Sequence, residues 1–241
     1  MTEPVRLSKR LAALLPCSRS DAEQYIEDGW VRVDGRVVME PHFRVTHERV
    51  ELDPKATLQT PTPVTLLLHK PAGHESPQHL LTAPSHWQAD PAGLRVLPRH
   101  FNHLTPAWAL ETAASGLLVY TQDWRVMRKL TEDAHLLEVE VMVEVQGEVA
   151  PQTLQALQRI PPAKDPGGPR PPLIKASLNS SRDGRSKLRF AIKGWRMGLI
   201  AELCERARLQ ILAMQRLRIG RVSLAQLPPG QWRYLQPHER F

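Results

Sequence analysis

The chain has 241 residues, 41% of them hydrophobic and 24% charged, with 32 Lys and Arg against 25 Asp and Glu, a net charge of +7. That is the composition of a globular protein large enough for one main domain and a small satellite. No apolar run is long enough to cross a bilayer, the N-terminal "MTEPVRLSKR" lacks a signal-peptide core, and two cysteines exclude a disulfide framework or a zinc knuckle. In chain order, Leu7, Leu11, Leu14 and Leu15 recur at helical spacing up to Pro16, leaving Arg6, Lys9 and Arg10 off the stripe. Ser20 with Glu23 three residues on predicts a capped second helix that buries Ala22, Tyr25 and Ile26 and closes at Gly29. "WVRVDGRVV" then alternates Val31 and Val33 with Arg32 and Asp34, and Asp34-Gly35 predicts a tight hairpin turn.

Residues 1–52 therefore read as a helix–helix–hairpin domain. "RLSKRLA", "SRSDAEQYIEDGWVRVDGRVV" and the closing "VTHERVEL" make it similar to the S-four RNA-binding domain. That resemblance implies one RNA-facing surface formed by Arg6, Lys9, Arg10, Arg19, Arg32 and Arg36. The prolines and polar residues of 53–63 predict a linker.

From residue 64 to 241 the pattern is mixed. "VTLLLHK", "GLLVYT", "LEVEVMVEV", "KLRFAIK" and "LQILAMQRLRIGRVSL" read as strands. "DWRVMRKLTEDA", with Val126, Met127 and Leu130 on one face, and "LIAELCERA", with Leu199, Ile200, Leu203, Cys204 and Ala207, read as helices. "PPAKDPGGPRPP", residues 161–172, predicts a loop. The fold class expected is α+β on a mostly antiparallel sheet. Residues 182–241 hold thirteen Lys and Arg against four Asp and Glu, so the basic excess is local and suggests a polyanion footprint. His86, His100 and His103 have no cysteine or carboxylate at a recognisable metal spacing, and Ser115-Gly116 lacks the first glycine of a nucleophile elbow, since position 113 is Ala. The tryptophans read mainly as packing residues.

"HKPAG" at 69–73, "ALETAASGLLVYTQD" at 109–123, "LEVEVMV" at 137–143 and "RLRIGRVSLAQLPPGQWRYL" at 216–235 together resemble the RsuA-like ribosomal RNA pseudouridine synthases. The resemblance implies a cofactor-free isomerisation of uridine in RNA, carried by an Asp with a paired Arg or Lys and a Tyr beside the base. It also implies that the base leaves its stack. Carried over by position, the nucleophile is Glu111, the Arg two before it is Ala109, the Gly before that is Trp108, and the strand Lys and Tyr are Val139 and Val141. Ala201 and Glu202 stand where the family's helix has paired arginines. Glu places its carboxylate about 1.5 Å farther from the backbone than Asp, and a misplacement of about 1 Å costs about a hundredfold in positioned catalysis. Trp108 is expected to fill the uridine pocket.

The reading is an RNA-binding homologue of the synthases with weakened or lost isomerisation, alternatively an active divergent synthase using Glu111. A third reading makes "RFAIKGWRMG" a protein-docking face. Lys70, Arg216 and Arg218 are expected to join the RNA-binding residues. The partner expected is structured, ribosomal RNA, with no cofactor, metal or membrane, for a monomer in the cytoplasm.

Overall fold

The computed structural model describes residues 3–58, 62–159 and 171–241. Most of the Pro/Gly-rich segment predicted as a loop at 161–172 lies outside them. The chain divides into two compact units: residues 1–63 with Arg95–His103, and 64–94 with 104–241.

The first unit begins with β1 (Val5–Arg6), α1 (Leu7–Leu14) and α2 (Arg19–Glu27). They are followed by β2 (Val31–Val33), β3 (Arg36–Val37), β4 (Arg44–Val45) and β5 (Val50–Leu52). Leu7, Leu11, Ala22, Ile26, Val31, Val33 and Val45 form its core. The leucine stripe is shorter than its spacing predicts, because Leu14 is 50% exposed at the helix end. The capping box also falls two residues earlier than expected: Ser18 Oγ accepts from Asp21 N, and Asp21 Oδ2 accepts from Ser18 N. Glu23 pairs instead with Arg19 one helical turn away. Asp34 and Gly35 both take left-handed φ, 47° and 78°, as a two-residue hairpin turn requires.

The segment 95–103 belongs to this unit although it lies between two strands of the other. Arg99 Nη1 meets Asp28 Oδ1 at 2.5 Å, and Arg95 stacks 5.7 Å over the Trp30 ring. Burial raises the Asp28 carboxyl, and Arg99 opposes that shift.

The second unit carries β6 (Thr65–Lys70), β7 (Thr105–Ala107), β8 (Ser115–Thr121), α3 (Trp124–Thr131), β9 (Glu138–Gln146) and α4 (Pro151–Leu157). It continues with β10 (Leu173–Arg182), β11 (Arg185–Lys193), α5 (Leu199–Arg206), β12 (Ile211–Ile219), β13 (Val222–Ser223) and β14 (Trp232–Tyr234). The sheet order is β10-β11-β9-β12-β8-β6-β14, with β13 on β12 and β7 on β8. Pairing is antiparallel except between β12 and β8, so the sheet is mixed with a strong antiparallel majority.

Valines 139, 141, 143 and 145 of β9 alternate onto one face and are buried under Leu199, Ile200, Leu203 and Cys204 of α5. Ser115 is the first residue of β8, and its hydroxyl donates to Met214 O across to β12. Gly116 has φ 120°, and a Cβ there would overlap the backbone of Arg216. A bare Cα at this position is what lets β8 and β12 pair.

Two outcomes follow. Gly116→Ala lowers stability by about 3 kcal/mol or more, read as a shifted urea midpoint, and a change below about 1 kcal/mol contradicts the close approach. His100, buried and beside Arg99, has its pKa lowered to about 4, burial being the larger cause. The unfolded chain therefore takes up this proton first as pH falls, so stability declines between about pH 6.5 and 4. His100→Gln flattens that decline; an unchanged pH profile refutes the assignment.

Candidate active site

Glu111 lies in the turn between β7 and β8. The turn is held from below by Lys70, the last residue of β6. Lys70 is 1% exposed, and its ammonium donates to the carbonyls of Ala114 at 2.6 Å, Thr112 at 2.9 Å and Glu111 at 3.0 Å, with Pro71 O at 3.3 Å. Three N–H donors are matched by main-chain acceptors, so the side chain acts as an internal clamp. Gly73 N donates to Thr112 O and Ala114 N to Glu111 O, completing the turn.

A second buried cation holds the chain entering the turn. Arg216 is 0% exposed; its Nε donates to Leu117 O at 2.8 Å, one Nη to Trp108 O at 2.7 Å and the other to Ala109 O at 3.3 Å. Burial lowers its pKa to about 10, and the Glu111 carboxylate opposes the shift. It remains a cation at neutral pH. Burial also lowers the Lys70 pKa, with Glu111 raising it and Arg216 lowering it further. One carboxylate thus sits within electrostatic reach of two buried cations whose hydrogen bonds all go to peptide oxygens.

The Glu111 side chain reaches another partner. Oε1 accepts from Gly198 N at 2.7 Å, and Gly198, with φ 80°, is the cap residue at the start of α5. A carboxylate at a helix N-terminus meets exposed N–H groups and the positive end of the macrodipole. Oε2 is buried with no hydrogen-bond partner. Among the described residues Glu111 makes no ion pair. Arg196 pairs with Glu202. Arg218 pairs with Glu138 at 2.7 Å and Glu140 at 3.1 Å.

Lys70, Gly116, Arg216 and Val141 follow one another across β6, β8, β12 and β9 in the strand register. Val141 is fully buried in the apolar layer under α5, without a ring or hydroxyl to offer a base. Ala109 is exposed and contributes only its carbonyl. Trp108 holds a left-handed φ of 56°, a conformation cheap for glycine and costly for tryptophan. Its indole N–H donates to Leu130 O at the end of α3, and the ring packs against the apolar clusters on both sides. The tryptophan is thus anchored on α3.

The expected RNA-binding residues divide. Arg6, Lys9, Arg10, Arg19, Arg32 and Arg36 are all exposed. Arg19 pairs with Glu23, and Arg32 donates to Gly35 O. Lys70 and Arg216, expected among them, are both buried, because the carbonyls of the Glu111 turn and its approach take up their donors. Arg218 is partly buried and neutralised by two glutamates. The sequence carried no sign of the Gly198 contact beyond two glycines bracketing "WRM" at 195–197. Among the described residues no group of His, Cys, Asp and Glu is placed to hold a metal, and no helix is long and apolar enough to cross a membrane.

A small module joined to this mixed sheet, with a carboxylate turn at its centre, defines the class: an S4 domain on a pseudouridine-synthase fold. The S4 domain family model matches residues 5–50. A solved pseudouridylate synthase aligns over 96% of each chain with a TM-score of 0.54 at 18% identity, a likeness of fold. Ribosomal small subunit pseudouridine synthase A of Pseudomonas aeruginosa is 30% identical over 254 residues, spanning 98% of both chains. Ribosomal large subunit pseudouridine synthase B of Bacillus subtilis is 26% identical, covering 97% of this chain and 93% of its own length. An uncharacterized RNA pseudouridine synthase of Aquifex aeolicus is 27% identical, covering 98% and 94%. The chain belongs to the RsuA-like family of ribosomal RNA pseudouridine synthases.

Lys70→Met keeps the length of the side chain and removes its donors. It destabilises the protein by about 3 kcal/mol in urea unfolding, since buried carbonyls lose their partner. A loss under about 0.5 kcal/mol means that Lys70 does not hold the turn.

Proposed function

We propose that the protein binds structured ribosomal RNA, through the S4 domain and basic surface of the larger unit, with uridine isomerisation weakened or lost. The observation that carries this reading is the state of Glu111. Its carboxylate is docked on the backbone N–H that opens α5, and the neighbouring cations are committed to carbonyls. A nucleophile must approach its target atom to about 3–3.5 Å with its lone pair free. A carboxylate one methylene longer than Asp and tethered at Oε1 is poorly set for that. Val141 supplies neither stacking nor proton transfer, and no guanidinium stands at position 109.

An active synthase using Glu111 is the second reading. It is favoured by one observation: Oε2 is buried and unpartnered, with Lys70 and Arg216 in electrostatic reach. Exposed Arg6 at the N-cap of α1, with Lys9 and Arg10 in its first turn, supports phosphate contact by the S4 domain, for a monomer acting without a cofactor.

Pseudouridine mapping of ribosomal RNA from a strain lacking the protein separates the two readings. The pattern is expected to match the parent strain at every site. A single missing pseudouridine, restored by the wild-type protein and not by Glu111→Ala, establishes activity and overturns the silent reading. In the same RNA, Glu111→Ala retains the wild-type binding affinity, because the side chain is not among the proposed phosphate contacts.

A further inference from the structure

The β10–β11 hairpin and its neighbours present a face opposite to the apolar layer under α5. The register places Arg185, Lys187, Arg189 and Lys193 of β11 on that face, beside Glu144, Glu140 and Glu138 of β9. On β10, Lys175 and Arg182 point the same way, followed across the strands by Ala191 and Arg185. The glutamates are taken up by arginines: Arg185 with Glu144 at 3.5 Å, Arg189 with Glu140 at 2.8 Å, and Arg218 with Glu138 and Glu140. Lys175, Arg182, Lys187 and Lys193 remain, all exposed and without an ion pair among the described residues. From Lys193 to Arg185 the strand spans about 27 Å. At the hairpin end a cleft is lined by Ser180, Arg182, Arg185 and Lys187, with Glu144 and Asp183 also on its wall.

We propose that this exposed face is a docking surface for the phosphate backbone of double-stranded RNA, on the side of the sheet away from the Glu111 turn. The inference rests on the RNA-binding reading above and goes further, by fixing where and in what form RNA is held. Seven cations against four carboxylates, Asp183 of the hairpin turn included, give the face a net positive charge. Of the ion pairs that partly neutralise it, Arg185 with Glu144 is long and solvent-facing, hence weak, so a phosphate can replace it, while buried Glu140 keeps Arg189 and Arg218. No aromatic side chain occupies an outward position on these strands, so the face lacks the stacking platforms by which unpaired bases are gripped. Cations and serines without rings suit duplex RNA, which is recognised by shape, phosphate and 2′-hydroxyl contacts. Glu111 lies at the opening of α5, which covers the opposite face. RNA held here is gripped without a base being presented to Glu111.

Binding of the full-length protein to a ribosomal RNA hairpin and to a single strand of equal length, over a series of salt concentrations, tests this. The quadruple variant Lys175→Ala, Arg182→Ala, Lys187→Ala and Lys193→Ala is expected to weaken duplex binding at least about tenfold. It also lowers the slope of log affinity against log salt by about 3. Single-strand binding changes less. Glu144→Gln removes a carboxylate from the face and is expected to tighten duplex binding, an outcome that does not depend on how well the quadruple variant folds. Unchanged duplex affinity in both variants, or an equal loss for both RNAs, overturns the proposal and leaves the S4 domain as the RNA-binding part. Wild-type protein that binds neither RNA removes the RNA-binding reading together with this one.

Discussion

Gly116 and Arg216 approach each other closely where β8 and β12 pair in parallel while their other neighbours are antiparallel. The pairing joins β6 and β8 to the long strands β9 to β12, and it needs a residue without Cβ. Arg216 then turns its guanidinium onto Leu117, Trp108 and Ala109 oxygens, so the same contact that closes the sheet also sets the path of the chain into Glu111. Lys70, on β6 beyond β8, closes the turn from the other side. Sheet and site are held by the same two buried cations. Removing either leaves peptide oxygens with no donor, a larger penalty than the loss of an exposed ion pair.

This arrangement makes the scaffold largely independent of the side chain at position 111. The turn depends on main-chain oxygens, which are indifferent to the side chain at 109 or 111. Trp108 keeps a left-handed backbone because Arg216 holds its carbonyl, even though glycine would adopt that conformation with less strain. Val141 is as well packed as its neighbours Val139 and Val143, so an apolar residue there costs the sheet nothing. The architecture therefore places little demand on the side chains at 109, 111 and 141.

Much of the fold was legible from local patterns. Alternation in "LEVEVMVEV", the Asp34-Gly35 turn and the spacing of Leu199, Ile200, Leu203 and Cys204 each specify an element and its buried face. What local patterns do not carry is strand pairing. The basic excess after residue 182 looks like a single positive surface along the chain, yet the register sets Glu138, Glu140 and Glu144 against Arg218, Arg189 and Arg185 and neutralises part of it. The same gap hid Lys70 and Arg216. A lysine at a strand end and an arginine in a basic strand look like surface cations until the carbonyls they serve are known. The capping box moved for a simpler reason: Ser18 and Asp21 offer the same spacing as Ser20 and Glu23, and only the helix start distinguishes them.

The salt bridge between Asp28 and Arg99 has a bearing on how the protein can be dissected. The first unit looks as if it could be cut free after residue 58, but it borrows Arg95 and Arg99 from the middle of the chain. A fragment ending there would strand the Asp28 carboxylate in a half-formed pocket and bare the Trp30 ring to solvent. The N-terminal unit is assembled from two places in the polypeptide, and residues 95–103 complete its contacts around Asp28 and Trp30.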